Sequence, residues 1–293
     1  MGRNLDWSID GPNWPNGRFS RFVSASGFRW HVQVTGSGPV LLLVHGTGAS
    51  AHSWRQLMPL LSARFTVVVP DLPGHGFTEK PRDDVLTLPG MAGALADLMQ
   101  SLDLDPAIVV GHSAGAAVLI RATLDGGISP RMIISLNGAL LPFQGFAGQV
   151  FKPLAKLLVL QPFVAPLFAW RAGERRAVER LLAGTGSQPS AEDVDLYAQL
   201  FQSPRHVSAT LAMMANWDLE SLAKDLVKLQ APIVLVAGTA DKAIAPANAT
   251  RVQRLAPHAA VELLEGLGHL AHEQRPDLTA ALILRNAAAA NIF

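Results

Sequence analysis

The pattern of apolar positions divides the chain into short strands and longer helical segments. Two runs near the start, 19–25 and 29–35, predict a hairpin because a Ser-Gly turn joins them. The later runs are continuously apolar, which indicates parallel strands that are buried on both faces. These runs are 40–45, 66–69, 107–110, 132–136, 232–237 and 260–264. The sequence therefore predicts a mostly parallel sheet of eight strands.

Segments with helical spacing lie between and after these runs. They cover residues 53–62, 90–102, 114–124 and the Ala/Leu-rich stretch 272–289. Alternation of strand and helix predicts an α/β fold with right-handed crossovers and helices on both faces of the sheet. Residues 140–216 interrupt the alternation with several short helices. We expect residues 1–139 and 217–293 to form the core, with 140–216 inserted as a helical lid over the C-terminal edge of the sheet.

Composition excludes several classes of protein. Hydrophobic residues make up 49% of the 293 residues and charged residues only 16%, so the chain is not disordered. The net charge of +1 argues against a nucleic-acid binder, which carries a basic excess. The absence of cysteine rules out disulfides, thiolate metal sites and a cysteine nucleophile.

A mean hydropathy of +0.25 raises the question of a membrane protein. The most apolar stretch, 150–170, contains Lys152, Lys156 and three prolines, which does not suit a spanning helix. The first 17 residues lack the apolar run of a secretory signal. We therefore expect a cytoplasmic protein without a transmembrane span, whose excess of apolar residues forms the lid.

Ser113 lies at the centre of the motif GHSAG, directly after one predicted strand and directly before a predicted helix. A nucleophile elbow needs this context, because the chain turns from strand to helix within a few residues and only small residues fit beside the serine. The alternative is an ordinary helix start with glycines for packing. The strand–turn–helix context favours the nucleophile.

A serine hydroxyl needs a base, and the base needs an orienting carboxylate. In this type of fold the chain order is serine, acid, histidine. Asp241 follows the strand 232–237, and His269 follows the strand 260–264, so both lie at the same sheet edge as Ser113. The sequence predicts a triad of Ser113, Asp241 and His269.

Acyl transfer also needs donors for the developing oxyanion. The amide of Ala114 follows the nucleophile, and the amide of Thr47 lies in the glycine-containing loop after the strand 40–45. We expect these two amides to form the oxyanion hole, and His45, Gly46 and His112 to contact substrate. The alternative for His45 and Gly46 is a simple turn at a strand end.

Other polar residues have simpler explanations. Asp71 and His75 follow a strand, where a role in building the turn is favoured over catalysis. His272 and Glu273 begin the last predicted helix, where an acidic side chain is favourable. No matching partners are evident for His31, His52, His206 and His258. No cluster has the spacing of metal ligands, so we predict no metal and no cofactor.

These motifs resemble those of the α/β-hydrolases over nearly the whole chain. The motifs are HGTGAS, PDLPGHG, GHSAG, GTADKAIAP and GHLAHEQRP, in that order. The resemblance implies an α/β-hydrolase fold with Ser113, Asp241 and His269 as its triad. Serine at the elbow argues against the haloalkane dehalogenase and epoxide hydrolase branches, which use aspartate there.

The first 80 residues are also similar to the magnesium-chelatase accessory proteins of bacteriochlorophyll biosynthesis. The similarity covers PNWPNGRFSRFVSASGFRWHVQVTGSGPVLLLVHGTGASAHSWR and FTVVVPDLPGHGFT. It implies a cytoplasmic protein of photosynthetic bacteria, peripheral to the photosynthetic membrane, that works near magnesium insertion. Magnesium chelatase and a porphyrin are the partners that it implies.

The predicted lid supplies candidate pocket residues. Phe143, Phe146, Phe168 and Trp170 are expected to line an apolar pocket, with packing inside the lid as the alternative. A basic stretch follows, at Arg171, Arg175, Arg176 and Arg180. It is either a solvated helix face or a patch for anionic lipid or substrate carboxylates.

Two classes of function follow from the sequence. The first is a serine hydrolase acting on an ester, amide or thioester of an apolar small molecule. The second is a non-catalytic porphyrin-binding or chelatase-assisting protein, in which the triad is incidental. A general carboxylesterase or C–C bond hydrolase is a further alternative.

Overall fold

The computed structural model describes residues 3–142 and 174–293, which are built around one eight-stranded sheet. The strands are β1 (Ser20–Ala25), β2 (Phe28–Thr35), β3 (Val40–Val44), β4 (Thr66–Pro70), β5 (Pro106–His112), β6 (Met132–Leu136), β7 (Ile233–Gly238) and β8 (Ala259–Leu264). Their order is β1-β2-β4-β3-β5-β6-β7-β8. β2 pairs antiparallel with β1 and β4, and all other pairs are parallel. The predicted mostly parallel α/β sheet is confirmed.

Eleven α-helices lie in the described residues. They are α1 (Trp7–Asp10), α2 (Leu57–Leu61), α3 (Leu88–Ser101), α4 (Ala114–Leu124), α5 (Arg175–Gly184), α6 (Ala191–Phe201), α7 (Pro204–Ala215), α8 (Leu219–Asp225), α9 (Ala247–Gln253), α10 (Ala271–Gln274) and α11 (Pro276–Ala289). None of these helices combines the length and the apolar character that crossing a membrane requires.

Two predicted helices are each divided in two. In place of the predicted helix 53–62, the structure has a 3-10 turn, Ala51–Trp54, followed by α2. Pro59 has no N–H to donate to the carbonyl of Arg55, so a continuous α-helix would lack a hydrogen bond at that position. That carbonyl instead accepts from Asn16 Nδ2 at 3.0 Å. The predicted helix 272–289 is broken between α10 and α11 at Arg275, because the residue before a proline is disfavoured in the α conformation.

The strands are continuously apolar because each face of the sheet packs against its own hydrophobic core. Leu42, Val44 and Val109 point to the face covered by α3 and α4. Leu41, Leu43 and their neighbours on other strands point to the opposite face, covered by α2 and α11. Each central strand therefore has no solvent face, which is why these strands are apolar along most of their length.

α4 approaches β3 so closely that backbone meets backbone. A Cβ on Gly115 would lie 2.3 Å from the carbonyl oxygen of Val44 and 2.5 Å from that of His45. A Cβ on Gly111 would lie 2.4 Å from the amide nitrogen of Ala116. The two glycines that flank Ser113 in the sequence thus allow β5 to turn directly into α4.

The inserted helices, α5 to α7, lie between β6 and β7 in the chain and are joined to the rest of the protein by buried polar contacts. Arg55 pairs with Asp193 of α6 at 2.5 Å. On α7, His206 accepts from the Gly76 amide through Nδ1 at 3.1 Å and bonds the Gly48 carbonyl through Nε2 at 3.0 Å. The loops after β3 and β4 therefore contact α7 directly.

Glu273 lies in the first turn of α10, and its carboxyl group is buried. The hydroxyls of Ser53 and of Tyr197 on α6 both donate to its Oε1, and Oε2 has no partner among the described residues. Burial raises the pKa of Glu273 to about 7, although the two hydroxyls act in the opposite direction. His272 beside it is also buried and bonds Ser53 Oγ at 2.8 Å.

The close approach of α4 to β3 predicts that Gly115→Ala lowers the free energy of unfolding by about 1–3 kcal/mol, because the added methyl meets two rigid carbonyls. Gly93→Ala is the matched control. Gly93 also lies in a helix, α3, and its Cβ would meet nothing within 4 Å. That control should gain about 0.5–1 kcal/mol. Denaturant titration measures both, and equal effects at the two sites would contradict the packing argument.

Glu273 predicts a distinct pH dependence of stability. Its pKa is about 7 in the folded protein, against an ordinary value of 4.5 for a glutamate side chain, so the folded state binds an extra proton between these two pH values. The contribution of this group to the free energy of unfolding is complete below pH 4.5 and is lost as the pH rises through about 7. Glu273→Gln keeps the neutral form, so its stability relative to wild type should rise by about 3 kcal/mol over that window.

Chemical denaturation at several pH values checks the prediction for Glu273. Glu220→Gln, an exposed residue on α8, is the control and should give a curve parallel to that of wild type. If Glu273→Gln also runs parallel to wild type between pH 4.5 and 8, Glu273 does not gain a proton on folding.

Candidate active site

Ser113 lies at the turn between β5 and α4 in a conformation that is rare for a residue with a side chain. Its φ is 51° and its ψ is −117°. The amide of Ser113 donates to the Leu136 carbonyl of the neighbouring strand at 3.0 Å, which holds the turn in place. Such strain in a non-glycine residue is typical of functional sites and of nucleophile elbows in particular.

Asp241 and His269 are joined by a hydrogen bond, as predicted. His269 Nδ1 lies 2.8 Å from Asp241 Oδ2, and the other carboxylate oxygen accepts from the amides of Ala243 and Ile244 at 2.8 and 2.9 Å. A carboxylate that already accepts from two amides assigns the proton to His269 Nδ1. This tautomer leaves Nε2 as the basic nitrogen.

The loop of His269 lies directly against the elbow. His112 Nε2 bonds the His269 carbonyl at 3.0 Å, and the two rings are 4.7 Å apart. Within residues 3–142 and 174–293 the Ser113 hydroxyl itself makes no hydrogen bond. Hydrogen bonds between nucleophile and base are often long before substrate binds.

The loop that carries Thr47 comes close to Ser113. A Cβ on Gly46 would stand 3.0 Å from Ser113 Cβ, so the glycine lets the loop after β3 approach Ser113. Neither the Thr47 amide nor the Ala114 amide has an acceptor in the described part of the chain. Ala114 is the first residue of α4, whose N-terminal amides point outward and favour negative charge.

The rings of His45 and His112, which are expected to contact substrate, are both buried. His45 bonds the Gly46 carbonyl at 2.7 Å and accepts from the Leu72 amide at 2.9 Å. Burial lowers the pKa of both rings. These neutral rings support the loops that carry the site from behind.

The structure corrects the expectation that His31 lacks a partner. Its Nδ1 lies 2.7 Å from Asp71 Oδ2, and its Nε2 lies 2.8 Å from Ser20 Oγ, so a second chain of serine, histidine and aspartate exists. Asp71 also accepts from the amides of Ala51 and Phe77 at 2.6 and 2.9 Å. Asp71 thus has the turn-building role that the sequence predicted.

The charge of Asp71 is stabilised despite its burial. Burial by itself raises the pKa of this carboxyl group. The interaction with His31 and the hydrogen bonds that the carboxylate accepts bring its pKa down to about 2. Asp71 therefore stays ionised while it holds β2, β4 and the following loop together.

Backbone geometry and access distinguish the two serine chains. Ser20 has an ordinary extended conformation, with φ −73° and ψ 139°, whereas Ser113 has a positive φ. The side chain of His31 is completely buried, while that of His269 is 11% exposed. Of the two groups of residues, the one made of Ser113, Asp241 and His269 combines a serine with a strained backbone, a partly exposed histidine and neighbouring amides that have no acceptor among the described residues.

Sequence reasoning missed Asn137, which orients the acid. Its Nδ2 donates to Asp241 Oδ2 at 2.8 Å, and its φ is 49°. The available signal was its position directly after a buried strand, at the same sheet edge as Ser113 and Asp241. A polar residue that tolerates a positive φ is well suited to that place.

The segment after α5 also braces the site, and no local pattern pointed to it. The carbonyl of Thr185 accepts from the Lys242 amide at 3.0 Å and from the His269 amide at 3.4 Å. Ser187 Oγ accepts from the Leu270 amide at 2.9 Å. The loops of the acid and the base are thus held through the inserted part of the chain.

The residues that the sequence singled out between β6 and β7 either lie outside the described ranges or are exposed on α5. Phe143, Phe146, Phe168, Trp170 and Arg171 lie outside the described ranges. Arg175, Arg176 and Arg180 are exposed on α5, and Arg175 pairs with Asp195 at 2.7 Å. Across residues 3–142 and 174–293, no group of three or more His, Cys, Asp or Glu residues is placed to hold a metal ion.

Known proteins with similar sequences and structures agree with this architecture. A magnesium-chelatase 30 kDa subunit from Rhodobacter capsulatus is 40% identical over 274 residues, which is 93% of this chain and 95% of that protein. A 2-(acetamidomethylene)succinate hydrolase from Mesorhizobium japonicum is 27% identical over 275 residues, covering 89% of this chain and 92% of that protein. The epoxide hydrolase CorEH superimposes with a TM-score of 0.80 at 24% identity, covering 92% of this chain and 98% of that one.

The family assignment rests on sequence as well as on fold. The model of the alpha/beta hydrolase family matches residues 41–282, which include all three predicted triad residues and both predicted oxyanion amides. The structural likeness extends over nearly the whole chain and, at 24% identity, shows the fold alone. The chain therefore belongs to the alpha/beta hydrolase family.

Proposed function

We propose that the protein is a serine hydrolase that cleaves an ester, amide or thioester bond of a largely apolar substrate. The observation that carries the proposal is the elbow conformation of Ser113 next to a partly exposed histidine held by Asp241. An incidental serine has no need of a strained backbone, an oriented base and two unpaired amides. Membership of the hydrolase family supports the same conclusion.

In the proposed reaction Ser113 Oγ attacks the carbonyl carbon of the substrate while His269 Nε2 takes the hydroxyl proton. The amides of Thr47 and Ala114 donate to the oxyanion, and removal of one such donor typically lowers kcat by about 10²–10³. When the carbonyl re-forms, the bond to the leaving group breaks and His269 returns the proton to it. Water, deprotonated by His269, then releases the acyl group and regenerates Ser113.

Asp241 acts through the histidine. Its carboxylate holds the Nδ1–H tautomer and stabilises the imidazolium that forms in each half of the reaction. Asn137 and the amides of Ala243 and Ile244 fix the carboxylate, so the ring of His269 keeps one orientation. Asn137 is therefore a positioning residue in this mechanism.

The physiological setting that we propose is bacteriochlorophyll biosynthesis, in support of magnesium chelatase. The magnesium-chelatase subunit from Rhodobacter capsulatus aligns with 93% of this chain at 40% identity, which supports a related role. An apolar substrate from that pathway suits the apolar segment between β6 and α5.

A second candidate function is a non-catalytic one, in which the protein binds a porphyrin or assists the chelatase directly. The observation that favours it is the name of that relative, which is a chelatase subunit and not a hydrolase. The two functions differ in whether Ser113 is needed.

A fluorophosphonate probe tests the nucleophile. Wild type should be labelled, Ser113→Ala should not be labelled, and Asp241→Asn should react about 10³–10⁴-fold more slowly because it favours the wrong tautomer of His269. Ser20→Ala is the matched control, since Ser20 belongs to the other serine–histidine–aspartate chain, and its labelling rate should stay within about twofold of wild type. Labelling of Ser113→Ala at the wild-type rate would refute the proposal.

Replacement of the genomic copy by Ser113→Ala separates the two candidate functions. If hydrolysis is the physiological role, bacteriochlorophyll should fall to the level of a deletion strain, because the folded but inactive protein cannot substitute. Fluorescence titration with protoporphyrin accompanies this measurement. Normal pigment together with saturable porphyrin binding would favour the non-catalytic function.

A further inference from the structure

A cavity of about 400 Å³ lies where the N-terminal residues meet β1, β2 and the start of α7. Its volume is in the range of small-molecule sites, about 300–1,000 Å³. None of its lining residues belongs to the triad or supplies a predicted oxyanion amide. The cavity is therefore distinct from the hydrolase site.

One wall of the cavity is aromatic. The ring of Trp7 meets the rings of Phe22 and Phe77 edge-on, at centroid distances of 5.4 and 4.9 Å. All three rings also pack on His31, at 5.1 to 5.4 Å. Because His31 is bonded to Asp71 and Ser20, this wall is held rigidly and suits a flat apolar group.

Arg205 supplies a guanidinium that makes no salt bridge with the described residues. Its Nη2 donates to the carbonyls of Leu5 and Gly76, both at a long 3.3 Å. Its Nε and Nη1 have no partner, and no carboxylate lies within 4.0 Å of the guanidinium in the described part of the chain. Burial lowers the pKa of Arg205, although the charges of Glu79, Asp71 and Asp6 act in the opposite direction from a longer distance.

Two further charged residues line the cavity. The guanidinium of Arg29 lies 4.6 Å from the ring centroid of Phe22 and 3.9 Å from Glu79. The carboxylate of Asp6 is occupied by Ser8, whose amide and hydroxyl donate to Oδ1 at 2.8 and 2.6 Å. Because Ser8 holds Asp6 and Glu79 faces Arg29, Arg205 is the charged lining residue that lacks a side-chain partner among the described residues.

We propose that this cavity binds a small aromatic monocarboxylate. Its ring lies against Trp7, Phe22 and Phe77, and its carboxylate accepts from the guanidinium of Arg205. The planar fork of a guanidinium matches a carboxylate, and a partly desolvated pair of this kind is stronger than one in water. Arg29 adds longer-range attraction at the mouth. The site does not depend on hydrolysis at Ser113.

Equilibrium dialysis of the full chain against 1-naphthoate tests the proposal, with 1-naphthalenemethanol as the uncharged analogue. Wild type should bind naphthoate saturably at one site. Arg205→Gln should raise its Kd at least about tenfold while changing the Kd of the alcohol less than twofold, because only the charge-assisted hydrogen bonds are lost. Arg82→Gln removes a guanidinium whose side chain is 90% exposed, and it should leave both values unchanged.

Two further samples locate the bound ligand and guard against misfolding. Arg29→Gln, at an exposed position, should weaken naphthoate binding by about threefold, less than Arg205→Gln, because Glu79 already faces Arg29. Ser113→Ala should bind naphthoate like wild type even if fluorophosphonate labelling fails. Absence of saturable naphthoate binding to wild type, equal affinity in Arg205→Gln, or loss of binding on modification of Ser113 would each overturn the proposal.

Discussion

The abrupt change from β5 to α4 at Ser113 depends on contacts that leave no room for a Cβ. Gly115 packs its Cα against the carbonyls at the end of β3, and Gly111 packs against the backbone at the start of α4. These contacts, together with the hydrogen bond from the Ser113 amide to β6, hold the serine in its strained conformation. The position of the nucleophile relative to the sheet edge follows from them.

The polar groups behind the site are arranged so that few of them carry charge. Eight of the nine histidines are buried. For most of these rings burial lowers the pKa, so they stay neutral and serve as hydrogen-bonding spacers between loops. Glu273 is the acidic counterpart, with a pKa raised to about 7 where core and inserted helices meet. The inserted helices are thus joined by hydrogen bonds to the segments that carry Asp241 and His269.

The molecule also shows that a serine–histidine–aspartate hydrogen-bond chain is not by itself evidence of hydrolysis. Ser20, His31 and Asp71 form such a chain, yet His31 is sealed and Ser20 has ordinary strand geometry. This chain ties β1, β2 and β4 together and supports the aromatic wall of the proposed carboxylate site. The difference between the two chains lies in backbone strain, access and free amides.

The sequence by itself determined the mostly parallel sheet and the turn from strand to helix at Ser113, because each depends on short-range patterns. Apolar runs mark strands buried on both faces, and residues that directly follow them must meet at one sheet edge. Pro59 and Pro276 divided two predicted helices, an effect that the apolar pattern does not reveal.

Only the tertiary structure decided the roles of residues whose partners are distant in the chain. His31 and Asp71 are 40 positions apart, Tyr197 and Glu273 are 76 apart, and Asn137 and Asp241 are 104 apart. Whether a histidine lines a pocket or supports a loop depends on burial, which is set by elements that pack from elsewhere in the chain. For that reason composition and spacing located the chemistry, while packing decided which polar groups are accessible to perform it.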